Sequence, residues 1–194
     1  MMRYKIFYLS NFKKLYTMRN GIVHAISRVI SNVLVKDTSE TSIKTRDSLL
    51  GILQERLRDT NAYTRSKVIQ CWGHLCQEKA VPLNLLPEIV DIIIGRLHDK
   101  SAFVRKAAVQ FLITILEYNP YGHSLEKSLY QQKLEDAKSS LNKATDSQEK
   151  QKCTTLIAYS TEALKFIEQI ESAIPVAVRL LNSKTSSDVL ECIH

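Results

Sequence analysis

The chain has 194 residues, with 27 Lys and Arg against 20 Asp and Glu, a net charge of +7, and only 5 Gly and 4 Pro. Such a length can bury a core of its own, and the scarcity of chain breakers argues against a many-turned β fold. No apolar run approaches the roughly 18 residues a membrane span needs; the most apolar stretch, 83–97, is interrupted by Pro87, Glu88 and Asp91. The surplus charge is local: Arg3, Lys5, Lys13, Lys14, Arg19, Arg28 and Lys36 fall in residues 1–36, which hold no acid. The rest of the chain is neutral overall, so a nucleic-acid argument there must rest on clustering.

In chain order, the basic and aromatic residues 1–9 lack the sustained apolar core and small-residue cleavage site of a secretory signal. Ile22, Val23, Ile26, Val29, Ile30, Val33 and Leu34 follow the i, i+3, i+4, i+7 spacing and predict a helix over 20–35. A second helix is predicted over about 42–58, with Leu49, Leu50, Leu53 and Leu57 on one stripe. After a turn at 59–61, with Asn61 as N-cap, a third helix over 62–79 buries Val68, Ile69, Trp72, Leu75 and Cys76. Pro87 suits the first turn of the next helix, which carries Ile89, Val90, Ile93, Ile94 and Leu97. Ser101 is the expected cap of its partner over 102–118, with Val104, Ala108, Phe111, Leu112, Ile115 and Leu116 inward. Residues 119–122 are a strong stop.

These elements repeat. Arg56, Leu57, Asp59, Ala62 and Arg65 recur as Arg96, Leu97, Asp99, Ala102 and Arg105, Tyr63 becomes Phe103, and Ile69-Gln70 is echoed by Val109-Gln110. A period near 40 with two helices per unit is the signature of a HEAT or armadillo solenoid. Residues 42–79 and 85–118 form two antiparallel pairs, and 20–35 reads as the second helix of an earlier pair, since Arg19 aligns with Arg65 and Arg105. Each pair alone exposes an apolar face that stacking buries.

From Ser124 the style changes to Lys, Glu, Gln and Ser. Leu134, Ala137, Leu141 and Ala144 keep a coiled-coil spacing, as do Ile157, Ser160, Leu164 and Ile167, which predicts an antiparallel helical hairpin turned near 145–147. The alternative is one more irregular repeat. Repeat style resumes at 172–175, with a short helix over 176–181 and another from Asp188. The expected organisation is an atypical segment 1–14, HEAT repeats 15–122, a charged hairpin insertion 123–172, and the start of a truncated repeat 173–194. The fold class is all-α: a HEAT/armadillo-like α-α superhelix with an inserted hairpin.

The residues point to no catalysis. The glycines are isolated, so no phosphate-cradling loop exists, and His24, His74, His98, His123 and His194 lack paired-ligand spacing. Cys71, Cys76, Cys153 and Cys192 form no Cys-x-x-Cys pair, which fits a reducing compartment. A zinc reading of Cys71, His74 and Cys76 fails because the two cysteines lie about 140° apart on a helix and a fourth ligand is missing. The expectation is no enzyme activity, no metal and no cofactor.

Residues 16–23, 44–47, 59–70, 99–106, 116–122 and 183–191 resemble, in order, the condensin complex subunit 1 family, the large HEAT-repeat subunits of condensin I. The resemblance covers about residues 15–194. Family members are several times longer, so it implies an internal segment. Residues 1–14 do not resemble the sequence that precedes this region in the family, and the expectation is a mispredicted or alternative start. The resemblance implies a non-enzymatic scaffold in mitotic chromosome condensation. Its partners would be the kleisin, the SMC subunits and duplex DNA, in the nucleus and on chromosomes, with a cytoplasmic pool in interphase. It implies no membrane and no small-molecule substrate. The alternative from another class is a HEAT adaptor for cargo transport or a phosphatase, without DNA binding.

The candidate functional residues cluster at the inter-helix turns. Asp59, Arg65, Asp99 and Arg105 recur in both repeats and are read as a ladder of Asp–Arg hydrogen bonds between repeats. Arg56 and Arg96 end their helices, where a cation suits the macrodipole. Arg58, Lys67, Lys100 and Lys106 have no evident structural duty and are the leading DNA-binding candidates, followed by Arg56 and Arg96. Tyr63 and Phe103 are read as packing between repeats rather than as base stackers.

Overall fold

The structure is a computed structural model that describes residues 16–122, 124–143 and 146–181. Among these residues every regular element is helical. The chain divides into two compact units, one containing residues 16–118 and 177–181, the other 119–176.

In the first unit, α1 (Tyr16–Val29) passes into a π-helical turn, Ile30–Leu34. After a polar break, α2 (Glu40–Arg56) starts at Ser39, whose hydroxyl accepts from the Ser42 N–H at 3.3 Å. α3 (Ala62–Gln77) is capped by Asn61, whose side chain accepts from the N–H groups of Tyr63 and Thr64. α4 (Leu86–Gly95) has Pro87 in its first turn, where its missing N–H costs nothing, and tightens into a 3₁₀ turn at Arg96–His98. α5 (Ala102–Glu117) follows. Ser101 occupies the N-cap position of α5 but makes no side-chain cap bond, which corrects the expectation that it caps the helix as Asn61 does.

The second helices of successive pairs lie side by side: α3 packs on α1 and on α5. Between them and the first helices sits one apolar core that includes Leu50, Leu53, Leu57, Val68, Ile69, Trp72, Leu75, Ile89, Ile93, Leu97, Val104, Ala108 and Phe111. The predicted stripes are narrower than their spacing implied. Leu116 and, on the first helix, Ile22, Val29 and Val33 are exposed, while Val23, Ile30 and Leu34 are buried. α1 has one described neighbour of its own kind where α3 has two, and the π turn shifts the helical phase over Ile30–Leu34.

The C-terminus of α3 is a Schellman turn. The Ala80 N–H reaches the Leu75 carbonyl at 2.9 Å, and the Lys79 N–H reaches that of Cys76 at 3.0 Å. It places Lys79 at φ 53, a left-handed conformation that a side chain disfavours.

In the second unit, α6 (Lys127–Lys143) and α7 (Ser147–Leu181) run antiparallel. Lys127 near the start of α6 meets Glu168 and Glu171 late in α7, at 3.3 and 3.4 Å. Tyr121 packs on Tyr159 and Phe166 with ring centres 5.5 and 5.4 Å away, and Tyr130 donates to the Tyr121 carbonyl. The stop at 119–122 thus carries a core residue. Asn119 Oδ1 accepts from the Tyr121 N–H at 3.0 Å, and Gly122 adopts φ 93 to turn the chain into the hairpin. Ala137, Ser160 and Ile167 lie inside the hairpin as the spacing predicted, joined by Ala163 and Phe166. Ala144 lies outside the described residues, as do residues 1–15 and the helix predicted from Asp188.

The separate short helix expected over 176–181 is corrected: α7 continues through Pro175 to Leu181. Proline removes one N–H and crowds the carbonyl four residues back, here that of Glu171. Glu171 and Pro175 are both exposed, which puts the freed carbonyl on a flank that water can serve, and the helix carries on.

Candidate functional site

The two echoed turns, 57–61 and 97–101, close with the same local bonds. Asp59 and Asp99 each turn a carboxylate oxygen back to the N–H two residues on, Asn61 at 2.8 Å and Ser101 at 3.0 Å. This Asx turn holds the carboxylate at the head of the next helix. Both aspartates are buried, so each needs cationic partners.

Those partners come from more than one repeat. Arg65 donates Nε to Asp99 Oδ2 at 2.8 Å and a terminal nitrogen to Asp99 Oδ1 at 2.7 Å, a two-pronged bond across 34 residues of sequence. Its other terminal nitrogen donates to the carbonyls of Asp59 and Thr60 at 2.8 and 3.1 Å. One guanidinium therefore ties its own turn to the next. Arg105 binds its own turn in the same way, through the carbonyls of Asp99 at 2.9 Å and Lys100 at 3.2 Å. One repeat earlier, Arg19 lies 3.6 Å from Asp59. The ladder thus runs diagonally: Arg19 and Arg65 each meet the carboxylate of the following repeat, not the one of their own turn. Arg19, buried in α1, belongs to the set, and its alignment with Arg65 was the signal for it.

Arg56 and Arg96 lie 3.5 and 3.6 Å from Asp59 and Asp99, so these helix-end arginines pair with the same carboxylates. The result is a cluster of Asp99 with Arg65 and Arg96. Burial pushes the Asp99 carboxyl up, but hydrogen bonds from Arg65 and the Ser101 N–H, with the charges of Arg65 and Arg96, outweigh it and hold the pKa below the ordinary carboxylate range.

The remaining cations differ in setting. Arg58 and Lys100 are exposed, each just beside a ladder aspartate. Lys67 and Lys106 are half-buried, one turn into α3 and α5. With the aspartates buried and neutralised, the outward charge of the two turns is cationic.

Three rings stand in a row along the same side: Tyr16 to Tyr63 at 5.5 Å and Tyr63 to Phe103 at 5.3 Å between centres. They link three successive repeats yet remain 44, 51 and 57% exposed. Tyr63 has a ring neighbour on either side, while Tyr16 and Phe103 at the ends of the row have one each. Tyr16 was not legible from the echo, because it stands three residues before Arg19 where Tyr63 stands two before Arg65.

Cys71 and Cys76 are buried in α3, and burial pushes the Cys76 thiol up to about 12. Cys71 points its sulfur at the Val23 carbonyl, 3.9 Å away on α1. Among the described residues no group of three potential ligands gathers, and no helix is long and apolar enough to cross a membrane.

Residues 84–112, spanning α4 and most of α5, match the model of a HEAT repeat associated with sister chromatid cohesion. The chain is 40% identical over 132 residues to condensin-1 complex subunit CAP-D2 of Arabidopsis thaliana, covering 66% of this chain and 9% of that protein. It is 42% identical over 107 residues to condensin complex subunit 1 of Xenopus laevis, covering 55% of this chain and 8% of the relative. Against condensin complex subunit 1 of Homo sapiens it is 32% identical over 161 residues, covering 82% and 11%. The chain is homologous to a segment of condensin complex subunit 1. It spans about a tenth of the length of these relatives. The stacked helix pairs described above fit a HEAT-like fold.

Proposed function

We propose that this chain is a non-catalytic HEAT scaffold that works within a condensin complex in mitotic chromosome condensation, contacting kleisin and SMC subunits and duplex DNA. Its setting is then the nucleus and the chromosome, with a cytoplasmic pool in interphase. The single observation that supports the DNA contact is the pair of echoed turns. Their acids are buried and neutralised by Arg19, Arg56, Arg65 and Arg96, so that the outward charge is cationic. Repetition of such turns at the helix-pair spacing suits a phosphate backbone, which reads charge without sequence. Arg58, Lys67, Lys100 and Lys106 would make the contacts, with Arg56 and Arg96 contributing less because they are shared with aspartates. The helical hairpin that follows residue 122 acts as an insertion in the sequence of this scaffold.

The test is charge reversal of Lys67, Lys100 and Lys106 together, with Trp72 fluorescence verifying the fold. Duplex DNA binding should weaken, and the slope of log affinity against log salt should flatten by about three, one per lost phosphate contact. Unchanged affinity and slope in a folded variant would remove the DNA reading. Co-purification of transport or phosphatase proteins, without SMC and kleisin subunits, would favour an adaptor instead.

A further inference from the structure

Tyr16, Tyr63 and Phe103 are more exposed than packing between repeats requires. The core rings Trp72 and Phe111 are 0 and 2% exposed, whereas Phe103, with no polar atom to turn toward water, is 57% exposed. Single exposed rings are ordinary, but rings in contact form a patch, and such patches mark contact surfaces. Tyr16 and Tyr63 lie 28° from parallel at 5.5 Å, Tyr63 and Phe103 34° at 5.3 Å, so the row crosses three repeats with its planes nearly aligned.

The row is bordered by cations. Lys67 stands four residues after Tyr63 and Lys106 three after Phe103, spacings that share one helix face. Arg58 and Lys100 are exposed on the turns just before the same two rings. The acids of those turns, Asp59 and Asp99, are buried in the ladder, and the exposed Glu55 before the first turn lies 3.7 Å from Arg56. An occupant that uses both features needs flat π faces and negative charge at short intervals along one chain. An unpaired nucleic-acid strand has both. A duplex stacks its bases on one another and shows only their edges in its grooves, so it can use the cations but not the rings. An acidic peptide matches the cations but carries no base to stack.

We propose that this row binds an unpaired nucleic-acid strand, its bases stacked on the exposed rings of Tyr63 and Phe103 and its phosphates on Lys67, Lys100 and Lys106. The strand contact rests on the cationic reading of the turns given above, and it adds to those turns a means of telling a single strand from a duplex. Phe103 is the main platform, since it is the most exposed of the rings and has a ring neighbour on one side only. Stacking of this kind is tolerant of sequence because every base has a π face.

The probes are a single-stranded oligothymidylate of about 20 nucleotides and a duplex of the same length, each labelled and titrated with the full 194-residue chain by fluorescence anisotropy. Phe103→Leu keeps apolar bulk and removes the π face. It should weaken oligothymidylate binding about tenfold, the loss expected for one base stack, with duplex binding within about twofold and both salt slopes unchanged. Phe103→Trp keeps an aromatic platform and should hold the strand at least as tightly as the parent does. The emission of its exposed indole, to the red of buried Trp72, should be quenched by oligothymidylate and not by duplex. The strand contact is overturned if Phe103→Leu costs less than about threefold, if strand and duplex lose affinity equally, or if the Phe103→Trp indole is not quenched. Displacement of oligothymidylate by a poly-glutamate peptide at equal concentration would overturn it too, in favour of an acidic-peptide surface. A parent chain that binds neither probe overturns this contact together with the DNA reading above; duplex binding without the strand effects overturns this contact alone.

Discussion

Replacing Arg65 by alanine should destabilise the first unit by about 3 kcal/mol. The figure follows from what is left behind. Arg65 donates to Asp99 at 2.8 and 2.7 Å and to the carbonyls of Asp59 and Thr60 at 2.8 and 3.1 Å. Its side chain is 14% exposed and that of Asp99 only 3%. Truncation would strand the carboxylate with Arg96 at 3.6 Å and the Ser101 N–H at 3.0 Å, while water reaches the vacated guanidinium site in part. That places the cost at the lower end of the range for breaking a buried pair. The assay is urea and thermal unfolding of the full chain read by fluorescence of Trp72, its single tryptophan, which is fully buried in the first unit. At 2–4 °C per kcal/mol, the midpoint should fall by about 6–12 °C. Arg65→Lys keeps the charge but loses the planar fork, and should recover no more than about half. A double-mutant cycle with Asp99→Ala should return a coupling of about 2 kcal/mol. A cost below about 1 kcal/mol for Arg65→Ala, or additive single variants, would refute the view that this contact holds the repeats together.

The ladder also has a pH signature. The folded-state pKa of Asp99 is depressed, so its contribution is present above the unfolded value of about 3.9 and lost as pH falls through the folded one. The stability gap between the parent and Asp99→Asn should therefore narrow from about pH 5 to about pH 3; a constant gap would mean the carboxylate charge is not what the ladder uses. Lys79→Gly should stabilise by about 1 kcal/mol, since the left-handed residue after α3 gains from losing its Cβ; unfolding midpoints measure it, and a loss would mean the lysine stem contributes more than the strain costs. Ser101→Asn should add about 0.5–1 kcal/mol by giving α5 the cap that Asn61 gives α3, and no gain would show that the turn cannot seat the longer side chain.

Much of the molecule was legible because its information is local and periodic. The stripe at Val68, Ile69, Trp72, Leu75 and Cys76 needs only a 3.6-residue period, and all five are buried. Asn61 as a cap and Pro87 in a first turn are decided by bonds within a few residues. The 40-residue echo, a second period, specifies that similar pairs stack. Errors arose where local signals compete with surroundings. The change of style at 172–175 reads as the boundary before a separate helix, but Pro175 lies on an exposed flank and one helix runs through it. Ser101 reads as a cap, but its hydroxyl makes no bond.

What the sequence alone determined is the inventory of the first unit: that its helices pair and repeat, and that Asp59, Arg65, Asp99 and Arg105 belong to the repeat. Only the tertiary structure decided the pairing, sending Arg65 to Asp99 rather than to the carboxylate of its own turn and lining up Tyr16 with Tyr63 and Phe103. The physical reason is that a repeat fixes which residue types recur, whereas which recurrent side chains meet depends on the offset between neighbouring helices. That offset is set by how their surfaces interlock, over distances no spacing in the chain records.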